Sequence, residues 1–262
     1  MAFEVPTTET NNTNTEKDFP YTSSSQRSIS GFQKLKLVPG DSDLGGLVET
    51  SEGPSQKTIR SYVSNVGDGT LKESTTSVLR WSGAYHEYQT GTITTGSGTF
   101  APGQAKWTYR VDFPHAYSEP PQVVTCFFWF RLTSTRPWRL TCKATDIDKK
   151  GFTAHVNGWG DTFIKGGKLS WFAHPSDRKG IVSGDVSLMD TFRSNGKIYW
   201  PSGAFLKKPR ICFVGLRYFN SDSRTDGVDF GIDYTIEDDH VKFTVTDSGR
   251  LDGASFTYIL IE

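Results

Sequence analysis

Apolar and polar residues alternate through this chain in strand-length stretches, and from Glu87 onward the same succession of stretches is passed through twice. YQTGTITTG is answered by VSGDVSLMD, VDFPHAYSEPPQVVTCFFWFRL by KIYWPSGAFLKKPRICFVGLRYF, and WRLTCKATDI by VDFGIDYTIE. GFTAHV is then answered by HVKFTV, and KLSWFAH by ASFTYILIE. A side-chain period of two belongs to strands with one face buried, and turn signals between such short runs belong to an antiparallel sandwich. Repetition of the whole series predicts two such sandwiches in tandem, an all-β fold in which helix is nearly absent.

The boundaries follow from where the pattern is strong. Residues 1–28 are rich in Thr, Asn, Ser and Glu with few apolar positions, which predicts a flexible tail. Residues 29–84 hold thinner candidate strands, Phe32 to Val38, Thr58 to Val63 and Ser77 to Trp81, and are either a small β extension or a divergent module. Residues 85–178 and 179–262 are the two sandwiches, the second degenerate. With 18 Phe, 10 Tyr and 7 Trp, their cores will be aromatic and β-branched.

Charge excludes one class of partner. Lys plus Arg and Asp plus Glu are 29 each, so no general field draws the protein to nucleic acid or an anionic membrane. The N-terminal sequence MAFEVPTTETNNTNTEKDF has neither a basic nor an apolar leader region, and no stretch is long enough to span a bilayer. A cytoplasmic product, released by a route that needs no leader, is the expectation. Cys126, Cys142 and Cys212 match no zinc spacing; Cys126 and Cys142 fall in apolar runs and read as small buried hydrophobes. No cofactor is expected.

Catalysis is argued against on similar grounds. Asp146 and Asp148, and the pair Asp238-Asp239, stand at turn-like positions where Asp serves the backbone. No nucleophile elbow or phosphate loop occurs.

Strand parity selects candidate binding residues. In GFTAHVNGW, burying Phe152, Ala154 and Val156 turns His155, Asn157 and Trp159 outward. In WRLTCKA, burying Trp138, Leu140, Cys142 and Ala144 does the same for Arg139, Thr141 and Lys143. A Trp and an Arg on neighbouring strands can stack a flat apolar face and hydrogen-bond its polar edge. Asn157 and Asp161 are polar partners on the same rim, and His155 is a weaker one.

Residues 85–176 resemble the H-type lectins. The resemblance is carried by the early QTG strand, by Phe113 and the double proline in FPHAYSEPP, and by Arg139 twelve residues before Gly151-Phe152. Trp159, eight residues after that Gly, and the closing LSW strand complete it. It implies a six-stranded sandwich that binds N-acetylgalactosamine or galactose-type glycans of glycoproteins or glycolipids and acts multivalently as a homo-oligomer, a trimer first. It also implies that Arg139 and Trp159 touch the sugar. The chain departs from the family pattern in three places: Gly160 stands where a His follows the Trp, Lys165 stands where a Tyr occurs, with Phe163 as a substitute close by, and APGQAKW lacks the family's acid. The second sandwich has no matching Trp, and the Arg position falls near Val228. A structural reading competes, that of an oligomeric attachment or tail-fibre-like β protein, in which Arg139 and Trp159 would be buried in a subunit contact.

Overall fold

The computed structural model describes residues 3–4, 7–10, 15–20, 27–38, 43–52, 58–65, 70–81, 87–95, 106–187, 196–221, 227–247 and 251–262, and its regular structure is all strand. A first run comprises β1 (Phe3–Glu4), β2 (Thr7–Thr10), β3 (Thr15–Pro20), β4 (Arg27–Val38), β5 (Asp43–Glu52), β6 (Thr58–Asn65) and β7 (Thr70–Trp81). A second comprises β8 (Gln89–Thr94), β9 (Lys106–Asp112), β10 (Gln122–Thr133), β11 (Trp138–Thr145), β12 (Gly151–Asn157) and β13 (Ile164–His174). A third comprises β14 (Ile181–Ser187), β15 (Lys197–Tyr199), β16 (Ile211–Ser221), β17 (Val228–Ile236), β18 (His240–Asp247) and β19 (Gly253–Ile261).

Pairing within the second and third runs is the same. β8-β13-β10 and β9-β12-β11 in one correspond to β14-β19-β16 and β15-β18-β17 in the other. The first run repeats the scheme, with β1 and β2 on β7, β7 on β4, and β3-β6-β5 as the second trio. Residues 1–28, expected as a flexible tail, thus contribute β1, β2, β3 and the start of β4, and residues 29–84 the rest of the first unit. Backbone ladders to β7 and β6 place the Thr-rich start, a route to order that apolar content does not reveal.

Each sheet is shared between two units. β11 pairs with β16, β17 with β4, and β5 with β10, so three six- or seven-stranded sheets close the units on one another in a ring. A register shift falls at the same place in each inner strand, between Phe32 and Lys34, Phe127 and Trp129, and Leu216 and Tyr218. Lys34, Trp129 and Tyr218 are therefore equivalent positions.

The closure explains a sequence pattern. One face of β4-β7, β10-β13 and β16-β19 lines a sandwich core containing Phe127, Phe152, Trp171, Phe219 and Phe230. The opposite face meets the other units in a second cluster that includes Ile29, Trp81, Cys126, Phe172, Phe213 and Ile259. Strands covered on both faces lose alternation, hence the continuous runs TCFF, CFVGL and SFTYILI. At the centre the equivalent residues Gly31, Cys126 and Gly215 converge, and a Cβ built on Gly31 would lie 2.8 Å from Gly215 Cα and 3.1 Å from Cys126 Sγ.

Cys126, Cys142 and Cys212 are free and buried, as their apolar runs predict for the first two. Burial pushes all three thiols up, Cys142 to about 12.

Candidate functional site

Parity places the outward residues of β11 and β12 as expected, and register adds a neighbour from the third unit. Phe152, Ala154, Val156, Trp138, Leu140 and Cys142 are fully buried. On the other face Thr141 lies between Asn157 and Tyr218, and Arg139 pairs with Asn220 of β16. The site therefore spans the junction of the second and third units.

Five of the candidates come together here. Arg139 Nη1 donates to Asp161 Oδ1 at 3.2 Å, with the arginine side chain 18% exposed and the carboxylate 38%. Arg136 Nη1 lies 3.9 Å from the second oxygen of Asp161. Gly160 takes φ 63°, and a Cβ there would overlap the Arg139 guanidinium, so the glycine is what lets the loop cross over it. The loop is also pinned from below, where Thr162 Oγ1 donates to the Pro137 carbonyl at 2.9 Å. Trp159, half-buried, stacks on Tyr218 with centroids 5.4 Å apart and planes 6° from parallel.

Tyr218 feels the same charges. Burial pushes its phenol above the usual range, Asp252 adds to the shift and Arg139 opposes it. The Asp252 N–H donates to the Asn220 carbonyl at 2.9 Å. Two amide oxygens beside Arg139, Asn157 Oδ1 and Asn220 Oδ1, are buried without a hydrogen-bond partner. The arrangement offers a pair of stacked rings, a donor fork and a charged acceptor.

Phe163 stands just before β13 and Lys165 within it, and the Phe163 carbonyl accepts from Thr133 N–H of β10 at 3.0 Å. Both nitrogens of His155 are engaged, with Thr145 Oγ1 at 2.7 Å and Thr108 Oγ1 at 3.3 Å. The acid's place in APGQAKW falls on residues 101–105, outside the described residues, as does the LMD end of VSGDVSLMD. Sequence reasoning missed Tyr218, Asn220 and Asp252. GLRYFN does alternate Tyr218 and Asn220 to one face, yet nothing in it says which strand lies alongside.

The carboxylates weighed as catalytic groups serve turns and ion pairs. Asp148 accepts from the N–H groups of Lys150 and Gly151 and from Arg110, which holds its carboxyl below the ordinary range. Asp146 sits at φ 49°, Asp238 lies 3.4 Å from Lys208, and Asp239 is bonded to His240.

Residues 108–174 match the family model of the H-type lectin domain. No curated protein matches the sequence. Among solved structures the chain is similar to the native recombinant discoidin II of Dictyostelium discoideum, at 13% identity over 64% of this chain and 79% of that one, with a TM-score of 0.29. It is similar also to wild-type discoidin II from Dictyostelium discoideum, at 13% identity over 63% and 78%, with a TM-score of 0.28.

Proposed function

We propose that the H-type lectin domain at residues 108–174 binds a galactose or N-acetylgalactosamine-type sugar at the junction with the third unit, without catalysis. The observation that carries this is the Arg139–Asp161 pair set beside the half-buried Trp159–Tyr218 stack. A sugar is heavily hydrated, so affinity comes from covering its C–H face with an aromatic ring and replacing lost water by charge-assisted hydrogen bonds. Trp159 and Tyr218 offer the rings, Arg139 the donors, and Asp161 an acceptor in place of the family's missing acid. The partners are glycans of glycoproteins or glycolipids. Among the described residues no helix is long and apolar enough to cross a membrane.

Calorimetric titration of galactose and N-acetylgalactosamine into the wild type, Trp159→Ala and Arg139→Ala tests the site, with melting curves beside it. Each variant should lose roughly 1–3 kcal/mol of binding while the fold survives. Unchanged affinity in both would sink the proposal.

One observation favours the structural reading: Trp159 lies against a residue of the next unit, as a residue holding units together would. A collapse of the Trp159→Ala melting temperature with no sugar bound by the wild type would select it.

A further inference from the structure

Although the chain carries equal numbers of basic and acidic residues, five cations line one cleft of about 390 Å³. Arg178 and Lys179 come from the link between β13 and β14, and Lys207, Lys208 and Arg210 from the loop before β16. The one carboxylate on its wall is Glu262, which already accepts the Leu206 N–H through Oε2 at 2.8 Å.

The loops are locked together, so the backbones that carry the cations are held near one another before any ligand arrives. Gly180 N–H donates to the Ala204 carbonyl at 2.8 Å, Glu262 N–H to the Gly180 carbonyl at 3.0 Å, and Arg210 N–H to the Ile261 carbonyl at 2.9 Å. Two of the cations have acids of their own: Arg178 lies 3.2 Å from Glu87, and Lys208 3.4 Å from Asp238. Lys179, Lys207 and Arg210 have no side-chain partner among the described residues. Three like charges around one concavity raise the local positive potential and so favour an anion entering it.

We propose that this cleft is a second ligand site, separate from the Arg139 junction, and that it takes a sulfate-bearing saccharide. Its volume is that of a small-molecule site, which suits one sugar unit and its ester group. A single-stranded nucleic acid would gain from exposed rings on which to stack its bases, and the only aromatic on the wall, Tyr88, is 5% exposed. A membrane surface is flat, whereas these cations face a hollow. The cleft also belongs to a chain with a lectin domain, so an anionic glycan is the polyanion that fits the rest of the molecule.

The probe is dextran sulfate, titrated into the full chain at low and rising salt, with unsulfated dextran, oligothymidylate and phosphatidylserine vesicles as further arms. The comparison is with the triple variant Lys179→Gln, Lys207→Gln, Arg210→Gln, whose sites are exposed and whose melting temperature should match the wild type. Dextran sulfate should bind with an affinity that falls with salt; the variant should bind at least about tenfold more weakly, with a log–log salt slope shallower by about two. Arg139→Ala should bind dextran sulfate as the wild type does, which separates failure here from failure of the junction site. Equal binding by the triple variant would overturn the proposal, as would vesicles or oligothymidylate binding as tightly as dextran sulfate.

Discussion

The indole of Trp159 lies parallel to the phenol of Tyr218, 5.4 Å centroid to centroid, although 59 positions separate them and they belong to different units of the chain. The second unit thus lends the loop and the third unit lends the platform. A site built this way has its geometry fixed by the β11–β16 ladder, and both rings contribute to stability as well as to any ligand contact.

The stack should be measurable as a coupling. In a double-mutant cycle of Trp159→Ala and Tyr218→Ala, chemical denaturation should give an interaction of about 1 kcal/mol, the usual value of an aromatic pair beyond its area. Tyr218→Ala alone should also weaken the binding of galactose-type sugars, because the indole loses its support. Strict additivity of the two stability losses would mean the rings do not act together.

The ring of units closes through small residues. A Cβ on Gly215 would lie 2.6 Å from Cys126 Cβ and 2.7 Å from its Sγ, closer than real contacts allow. Gly215→Val should therefore destabilise the protein by roughly 2 kcal/mol or more through overpacking, while Cys126→Ala, which removes only a sulfur from the same spot, should cost less. Thermal and urea unfolding of the two variants decide it. A Gly215→Val protein as stable as the wild type would show that the inner strands are not held in this contact.

The alternating runs of the second and third units, and the outward parity of Arg139 and Trp159, could be read directly, because one buried face imposes a period of two. Of the first unit only the candidate strands Phe32 to Val38, Thr58 to Val63 and Ser77 to Trp81 could be read, and they fall within β4, β6 and β7. Its β1, β2 and β3 are placed by ladders to β7 and β6, and backbone pairing leaves little trace in side-chain composition. Nor could the sharing of sheets between units, although the unbroken run TCFF was its signal: such a run needs cover on both faces. The Arg position, expected near Val228 in the last unit, falls by register on Asp229, since Arg139 opposes Asn220 as Asp229 opposes Lys36.

His174 makes stability depend on pH. It is 2% exposed, bonded to the Pro175 carbonyl at 2.9 Å and to Ser183 Oγ at 2.8 Å, and burial lowers its pKa from 6.5 to about 4. The unfolded chain then binds a proton that the folded chain refuses between those values. The contribution is complete above pH 6.5, is lost as pH falls toward 4, and changes no further below that. Its full size is about 3 kcal/mol. Urea unfolding at steps from pH 7.5 to 4 should show this loss in the wild type and a shallower one in His174→Gln. Identical pH slopes would remove His174 as the cause.

Valence follows from the same register that locates the junction site. The three junctions align Arg139, Asp229 and Gly45 at one equivalent place, opposite Asn220, Lys36 and Arg131. Only the first supplies a guanidinium from that strand. At the second, an acid stands in its place and lies 3.0 Å from Lys36. A single chain should therefore bind one galactose-type sugar, not three, even though three units surround the axis. Multivalent grip on a cell surface would then require several chains to associate, which gives effective concentrations far above those of separate weak sites. Calorimetry should return one sugar per chain, and sedimentation at micromolar concentration should show whether the chains gather. Agglutination of glycan-bearing cells should appear only where they do. A stoichiometry of two or three would mean that the junctions at Asp229 and Gly45 bind sugar by a different set of contacts, and that the guanidinium of Arg139 is not what makes a site.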